Sequence, residues 1–391
     1  MSDLRGKYAI IGAGNSPLGK VPGVGSLGLF ALAAKAAIED AGIKKEEIDG
    51  LLTRGPDEIY AHHQRIGQML GINATFSTST DNGGASQPLG VALACMAIDA
   101  GLCNTVLVGY SRDSWSRAHR SAEAKMRVAT MDESQLRKEF APEFGVYGAV
   151  INYAFAARRH MEIYGTTKEQ YGAVAVSFRK HAMKNPDAMM REPMSIEDYL
   201  NARMIVDPLG LYDCSLVSDG AGAVIVTSAE RAKDLGKPAA YVLGFGVGNN
   251  LRGWHHNDNM IHTGAKQAGE AAYKMAGVTP QDIDVAQIYD CFTAMVVLQL
   301  EDYGFCKKGE GGAFAASGAL DLDGVLPTNT SGGQLSEAHV EGILQVVEGV
   351  RQIRHDYGPD RQVKDAKLCL VSGHGGNTVC QTALILGSEP G

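Results

Sequence analysis

Thr80-Asp81-Asn82-Gly83-Gly84-Ala85-Ser86 runs into an apolar stretch over residues 89–100, closed by Gly101. A glycine pair opening a buried helix is a place where many enzymes hold a nucleophile. The first backbone N–H groups of a helix point outward there and favour negative charge. No cysteine occupies this turn. The nearest, Cys95, lies about three helical turns further on.

Outward from the turn, short apolar runs alternate with helical spacing. Strands are expected at 8–12 (YAIIG), 48–52, 104–109 (NTVLVG) and 220–227 (GAGAVIVT), with a helix at 27–41 ending before Gly42. The second half repeats the theme. It has strands at 239–246 and 285–289, helices at 264–275 and 336–353, and closing strands at 367–371 and 381–387. The alternation predicts an α/β sheet protein, and its recurrence points to a duplicated core. Between the halves, 112–207 is richer in Arg, Met, Tyr and charge, with helical stretches at 150–164 and 167–184. It reads as an inserted loop or cap domain. The expected division is one lobe from 1–111 and 208–235, the insertion 112–207, and a second lobe 236–391.

The bulk numbers agree. A chain of 391 residues with 45% hydrophobic and 20% charged residues is globular and long enough for about two or three domains. A net charge of −8 without a Lys/Arg block argues against a nucleic-acid partner. Seven scattered cysteines with no CxxC pair read as reduced thiols in a cytoplasmic protein. No run approaches the ~20 apolar residues of a membrane span. His255 and His256 lack a third ligand at metal spacing and read as surface residues.

Three further segments carry candidate chemistry. They are Gln287-Ile288-Tyr289-Asp290-Cys291-Phe292-Thr293, then Asn329-Thr330-Ser331-Gly332-Gly333-Gln334-Leu335-Ser336-Glu337-Ala338-His339, then Ser372-Gly373-His374-Gly375-Gly376. Each follows an apparent strand or opens an apparent helix, where a rigid sheet presents catalytic groups. With Ser218-Asp219-Gly220-Ala221 and the inserted Tyr164-Gly165-Thr166-Thr167-Lys168-Glu169-Gln170, the series resembles the thiolase superfamily. The branch it is most similar to is that of the sterol-carrier and lipid-transfer-protein thiolases, and the resemblance spans essentially the whole chain.

That resemblance implies a thiolase-like duplicated α/β core of two lobes, layered α-β-α-β-α, with a loop domain over the site. It implies a homodimer, an acyl-CoA substrate with coenzyme A as the substrate's own moiety, and no bound cofactor. Thiolases use a nucleophilic Cys, a His that polarises the thioester carbonyl and a second Cys as acid/base. Carried over here, His339 and Cys291 are retained, Tyr289 replaces the usual loop His, and the nucleophile position falls on Gly84. A slip of one residue lands on Gly83 or Ala85, so no slip restores a thiol.

Without that thiol, an acyl-enzyme at the turn is excluded, and an unactivated Ser86 hydroxyl is a weak substitute. Retro-aldol cleavage of a β-hydroxyacyl-CoA needs only a base and a stabilised CoA enolate. Some lipid-transfer-like members are such aldolases, paired with a small DUF35 zinc-ribbon/OB-fold protein. The expected roles follow. Tyr289 or Cys291 is the base, and His339 donates to the thioester or enolate oxygen. N–H groups around Gly84 and Gly375 complete an oxyanion site, and His374 is an auxiliary polar group. Asn82 and Ser86 shape the turn, and Asp290 orients its loop. The alternatives are a thiolase or acyltransferase acting on a β-ketoacyl-CoA, as the benzoylsuccinyl-CoA thiolases do, and a non-catalytic lipid- or CoA-binding subunit.

Overall fold

The computed structural model describes residues 4–57, 59–119, 148–250, 260–376 and 380–391. His255 and His256 lie outside them. Nine strands form one mixed sheet: β1 (Tyr8–Asn15), β2 (Gly50–Arg54), β3 (Phe76–Thr78), β4 (Thr105–Asp113), β7 (Asp219–Ser228), β8 (Ala240–Asn249), β9 (Val285–Gln287), β10 (Leu368–Gly375) and β11 (Cys380–Gly387). Two short strands, β5 (Met204–Val206) and β6 (Leu209–Gly210), pair separately. The sheet order is β3-β2-β4-β7-β1-β8-β11-β10-β9.

The order shows the duplication. In the first half β1 pairs antiparallel with β7, β7 antiparallel with β4, and β4 parallel with β2. In the second, β8 pairs antiparallel with β11, β11 antiparallel with β10, and β10 parallel with β9. Within the sheet the halves join through Ala9↔Tyr241 and Ile10↔Ala240.

Strand alternation builds the layers. On β7, Val224 and Val226 face one core while Ala223 and Ile225 face another; on β10, Cys369 and Val371 part from Leu370 in the same way. Between the half-sheets lie the helices Ser86–Asp99 and Ile343–Arg354, which pack on strands of both halves and on each other. The helix Gly25–Ala41 covers the outer face of the first half, and Ala265–Ala276 covers that of the second. This is the expected α-β-α-β-α order. The middle helices are largely buried, which explains the long apolar run of Ser86–Asp99; Ile343–Arg354 buries Gln345, Glu348 and Gln352 as well.

Three local expectations change. The helix expected over 336–353 is broken: Gly333–Ser336 forms one turn, and Ile343–Arg354 begins after Glu341 and Gly342, both at positive φ. β9 stops at Gln287, because the next two N–H groups go to the Asn329 Oδ1 (2.7 Å) and Ser372 Oγ (2.8 Å) acceptors rather than to a strand. β10 continues through Ser372-Gly373-His374-Gly375 instead of ending at 371. From the inserted segment, helices Val150–Tyr164 and Lys168–Lys184 pack on Thr293–Asp302.

Candidate active site

The four motif segments converge at the carboxyl ends of β2, β4, β9 and β10, the usual ligand side of α/β sheets. Two of them meet backbone to backbone. A Cβ on Gly375 would lie 1.8 Å from the Asn82 carbonyl oxygen, and one on Gly373 would lie 2.8 Å from Ala85 Cα. Only glycine permits this approach. The turn itself is closed locally. Ala85 N–H donates to Asn82 O (3.1 Å), and Asn82 N–H donates to Ser86 Oγ (2.8 Å). Ser86 is buried and its oxygen is part of the turn.

Tyr289 is the centre of the arrangement. Its N–H donates to Ser372 Oγ (2.8 Å), and its carbonyl accepts from Gln299 Nε2 (2.7 Å). Ser372 Oγ in turn donates to Gln299 Oε1 (2.8 Å), which fixes the backbone on both sides. The ring then lies across Gly84. A Cβ built on Gly84 would stand 2.0 Å from Tyr289 Cε2 and 2.4 Å from its hydroxyl oxygen. The same Cδ2–Cε2 edge also runs beside Gly342, where a Cβ would lie 3.1 Å from Tyr289 Cδ2 and 3.2 Å from Cε2. The phenol therefore fills the volume that a side chain at 84 requires. The two departures seen in the sequence, Gly84 and Tyr289, are one coupled change.

His339 enters through the helix break. Its N–H and carbonyl both pair with Ser218 Oγ, at 2.9 and 3.0 Å. Its Nε2 lies 3.4 Å from the Tyr289 hydroxyl and 3.4 Å from Arg112 Nη1, and its Nδ1 lies 3.2 Å from Ser215 Oγ. A guanidinium only donates. Nε2 is therefore the lone-pair nitrogen, and Nδ1 carries the proton toward Ser215. Burial and the Arg112 cation hold the imidazole well below its usual pKa, so it is neutral. Burial pushes the Tyr289 phenol well above 10, with Cys291 and Glu341 adding and Arg112 opposing.

On the other flank, Tyr153 from the inserted segment stacks on Phe292, with ring centroids 4.5 Å apart. Its hydroxyl lies 2.6 Å from His374 Nε2 and hydrogen-bonds the Cys291 thiol. Burial keeps Cys291 protonated and lowers His374 to about 3. Asp290 is turned inward. Its carboxylate accepts from Gln334 N–H (2.9 Å), Leu335 N–H (3.1 Å) and Gln345 Nε2 (2.9 Å). Asn329 bonds both the N–H and the carbonyl of Ile288, at 2.7 and 2.8 Å. These contacts lock the Tyr289 loop to the His339 loop.

The family profile for the thiolase N-terminal domain matches residues 8–230, and that for the thiolase C-terminal domain matches 246–388. The chain belongs to the thiolase superfamily. Among its relatives in the superfamily, a steroid side-chain-cleaving aldolase of Thermomonospora curvata is 35% identical, with all of both chains covered. A 17-hydroxy-3-oxo-4-pregnene-20-carboxyl-CoA lyase of Mycobacterium tuberculosis is 35% identical over 90% of this chain and 92% of its own. The solved Ltp2-ChsH2(DUF35) aldolase superposes with a TM-score of 0.88 at 33% identity, covering 99% of each chain.

The structure brings Tyr289, Cys291, His339, His374, Gly84 and Gly375 together, with Asn82 and Ser86 in the turn beneath. Sequence reasoning missed Arg112 and Tyr153. Arg112 was placed at the start of the insertion, yet it is the next-to-last residue of β4. A charged residue ending an apolar strand run was the available signal. Tyr153 reaches the site from a distant helix, and nothing local marks it.

Proposed function

We propose that the protein cleaves a bulky β-hydroxyacyl-CoA by retro-aldol chemistry, with no acyl-enzyme. A base takes the β-hydroxyl proton. The Cα–Cβ bond breaks, the carbonyl product leaves, and the bonding electrons pass into the thioester as a CoA enolate. Protonation at Cα then gives the shortened acyl-CoA. The reaction is balanced in protons: one is taken from the β-hydroxyl and one is given to Cα. The proton held on His339 returns through solvent to the Cys291 thiolate after the products leave. No redox partner or resident cofactor is therefore needed, and coenzyme A is part of the substrate.

The observation that carries this reading is the Tyr289 phenol filling the side-chain volume at position 84. The place where a covalent acyl link would form holds a proton-transfer group instead. With its pKa raised, Tyr289 accepts the hydroxyl proton as its own passes to the lone pair of His339 Nε2. Cys291, a buried thiol, is suited to protonate Cα, with Tyr153 and His374 orienting it. N–H groups around Gly84 and Gly375 are assigned to the thioester oxygen. His339 thus acts as a proton acceptor rather than as the hydrogen-bond donor expected from the resemblance.

The names of the relatives support a steroid-like acyl group and, through the Ltp2-ChsH2(DUF35) aldolase, a DUF35 partner; a homodimer is what the family resemblance implies. Seven unpaired cysteines support a cytoplasmic location; among the described residues no helix is long and apolar enough to cross a membrane. The reading keeps the division into lobes 1–111 with 208–235 and 236–391 and an inserted segment 112–207, with Arg112 and Asp113 belonging to β4.

The test supplies a steroid β-hydroxyacyl-CoA, and separately a β-ketoacyl-CoA with free CoA, to the protein with and without its DUF35 partner. Cleavage of the first without added CoA is expected. Cleavage of only the second, dependent on CoA, would establish thiolysis instead.

A further inference from the structure

Resting on that reading, we infer that Arg112 is a catalytic residue whose guanidinium takes the thioester oxygen as it becomes an enolate. The family's histidine is occupied elsewhere. Arg112 Nη1 and the Tyr289 hydroxyl both face His339 Nε2, so that nitrogen has no proton to offer an oxyanion. A donor must come from another group on the same side of Tyr289, and Arg112 is there.

Its placement is built. The side chain projects from the end of β4, and Nε donates to Ser114 Oγ at 2.7 Å, fixing the plane of the fork. Nη1 points at His339. Glu341 is 3.7 Å away, beyond a hydrogen bond, because its carboxylate is engaged by Arg54 at 2.5 Å. Arg54 is further held by Asp57 and Asp81 at 2.9 and 3.0 Å. The Nη2 donors of Arg112 have no acceptor among the described residues. The side chain is 22% exposed, and its Nη1 lies on the His339 side.

The cation therefore has spare donors beside the Tyr289–His339 pair, and its neighbouring carboxylate, Glu341, stands at ion-pair distance without a hydrogen bond to it. When the Cα–Cβ electrons move onto the thioester oxygen, the new charge meets a fixed guanidinium. No atom of Arg112 is exchanged. Burial and the same cation hold His339 neutral in the resting state, so its Nε2 lone pair is shared between the Arg112 and Tyr289 donors until the guanidinium engages the enolate.

The test separates enolate formation from C–C cleavage. Exchange of the Cα protons of propionyl-CoA in D2O requires the enolate but no ketone product. Wild type, Arg112→Lys and Arg112→Met are compared in both assays, with circular dichroism and melting to confirm folding. Arg112→Met is expected to lower both the exchange rate and kcat by about 10²–10³-fold with a smaller change in KM. Arg112→Lys is expected to retain part of each rate. The acidic limb of the pH profile should move up in Arg112→Met, because His339 loses the cation that depresses it. Added guanidinium should partly rescue Arg112→Ala, which a structural role would not allow. Exchange and cleavage by Arg112→Met within threefold of a competent wild type would overturn the assignment. Should wild type catalyse exchange but not cleavage, the retro-aldol reading fails while Arg112 is still judged by the exchange data. A wild type inactive in both assays sinks both.

Discussion

Gly84→Cys restores the thiol that thiolases place at this turn, and it should damage this protein. A new Cβ would lie 2.0 Å from Tyr289 Cε2, 2.3 Å from Cζ and 2.4 Å from the hydroxyl oxygen. Carbon atoms rest comfortably at about 3.5–4.0 Å, so the ring must retreat by roughly 1.5 Å. Tyr289's own backbone is held on both sides by Ser372 and Gln299, which limits that retreat. Overpacking of a tight core costs about 1–3 kcal/mol, and this site belongs at the upper end. For a chain of this length that is a fall of several degrees in Tm, at roughly 2 °C per kcal/mol. Tyr289→His, which installs the family's usual and smaller ring, should relieve the clash. A double-mutant cycle by denaturant unfolding is then expected to show Gly84→Cys costing about 2 kcal/mol less in the Tyr289→His background. Single-mutant cleavage of the β-hydroxyacyl-CoA should also collapse, since the phenol is displaced. Additive stabilities, or a Gly84→Cys protein as stable and active as wild type, would refute the coupling between these two positions.

Other outcomes follow from the same geometry. Tyr289→Phe keeps the ring packing and removes the proton carrier, so kcat should fall about 10²–10⁴-fold with unchanged Tm; retained turnover would remove Tyr289 from the proton path. His339→Ala should lower kcat about 10²–10³-fold in steady-state assays, and an unchanged rate would eliminate its role. Tyr153→Phe should slow Cα protonation, seen as a larger solvent isotope effect on kcat, without unfolding the protein; an isotope effect equal to wild type would leave Tyr153 as packing alone. Glu337 is buried between Asn185 and Ser331, and burial with nearby Glu348 raises it from 4.5 to about 8. The folded state holds a proton there that the unfolded chain releases, so this contribution is fully present below about pH 4.5 and is lost as pH rises through 8. Glu337→Gln should flatten the fall of Tm over that window, and an unaltered slope would show that Glu337 does not titrate there.

The fold was legible because it is written locally. Apolar strands such as YAIIG and NTVLVG, the helix capped by Gly42, and the glycine turns all act within a few residues. The errors fall where distant groups override local pattern. The break that delivers His339 is imposed by positive φ at Glu341 and by the close approach of Tyr289 to Gly342, which the apolar spacing of 336–353 conceals. β9 ends early because Asn329 and Ser372, 41 and 83 residues away, capture its N–H groups. The motif residues Tyr289, His339 and His374 do lie together, since their spacing is part of the motif. Arg112 and Tyr153 act from a strand end and a separate helix, and only three-dimensional proximity reveals them. The loss of the nucleophile and the gain of the tyrosine were both visible, but that one replaces the other in space was not.

Intact-mass analysis of the protein quenched during turnover of the β-hydroxyacyl-CoA addresses the mechanism most directly. The account predicts cleaved product with every protein molecule at its unmodified mass. A population heavier by the acyl group, reversed by hydroxylamine, would contradict it and return the chain to covalent thiolase chemistry.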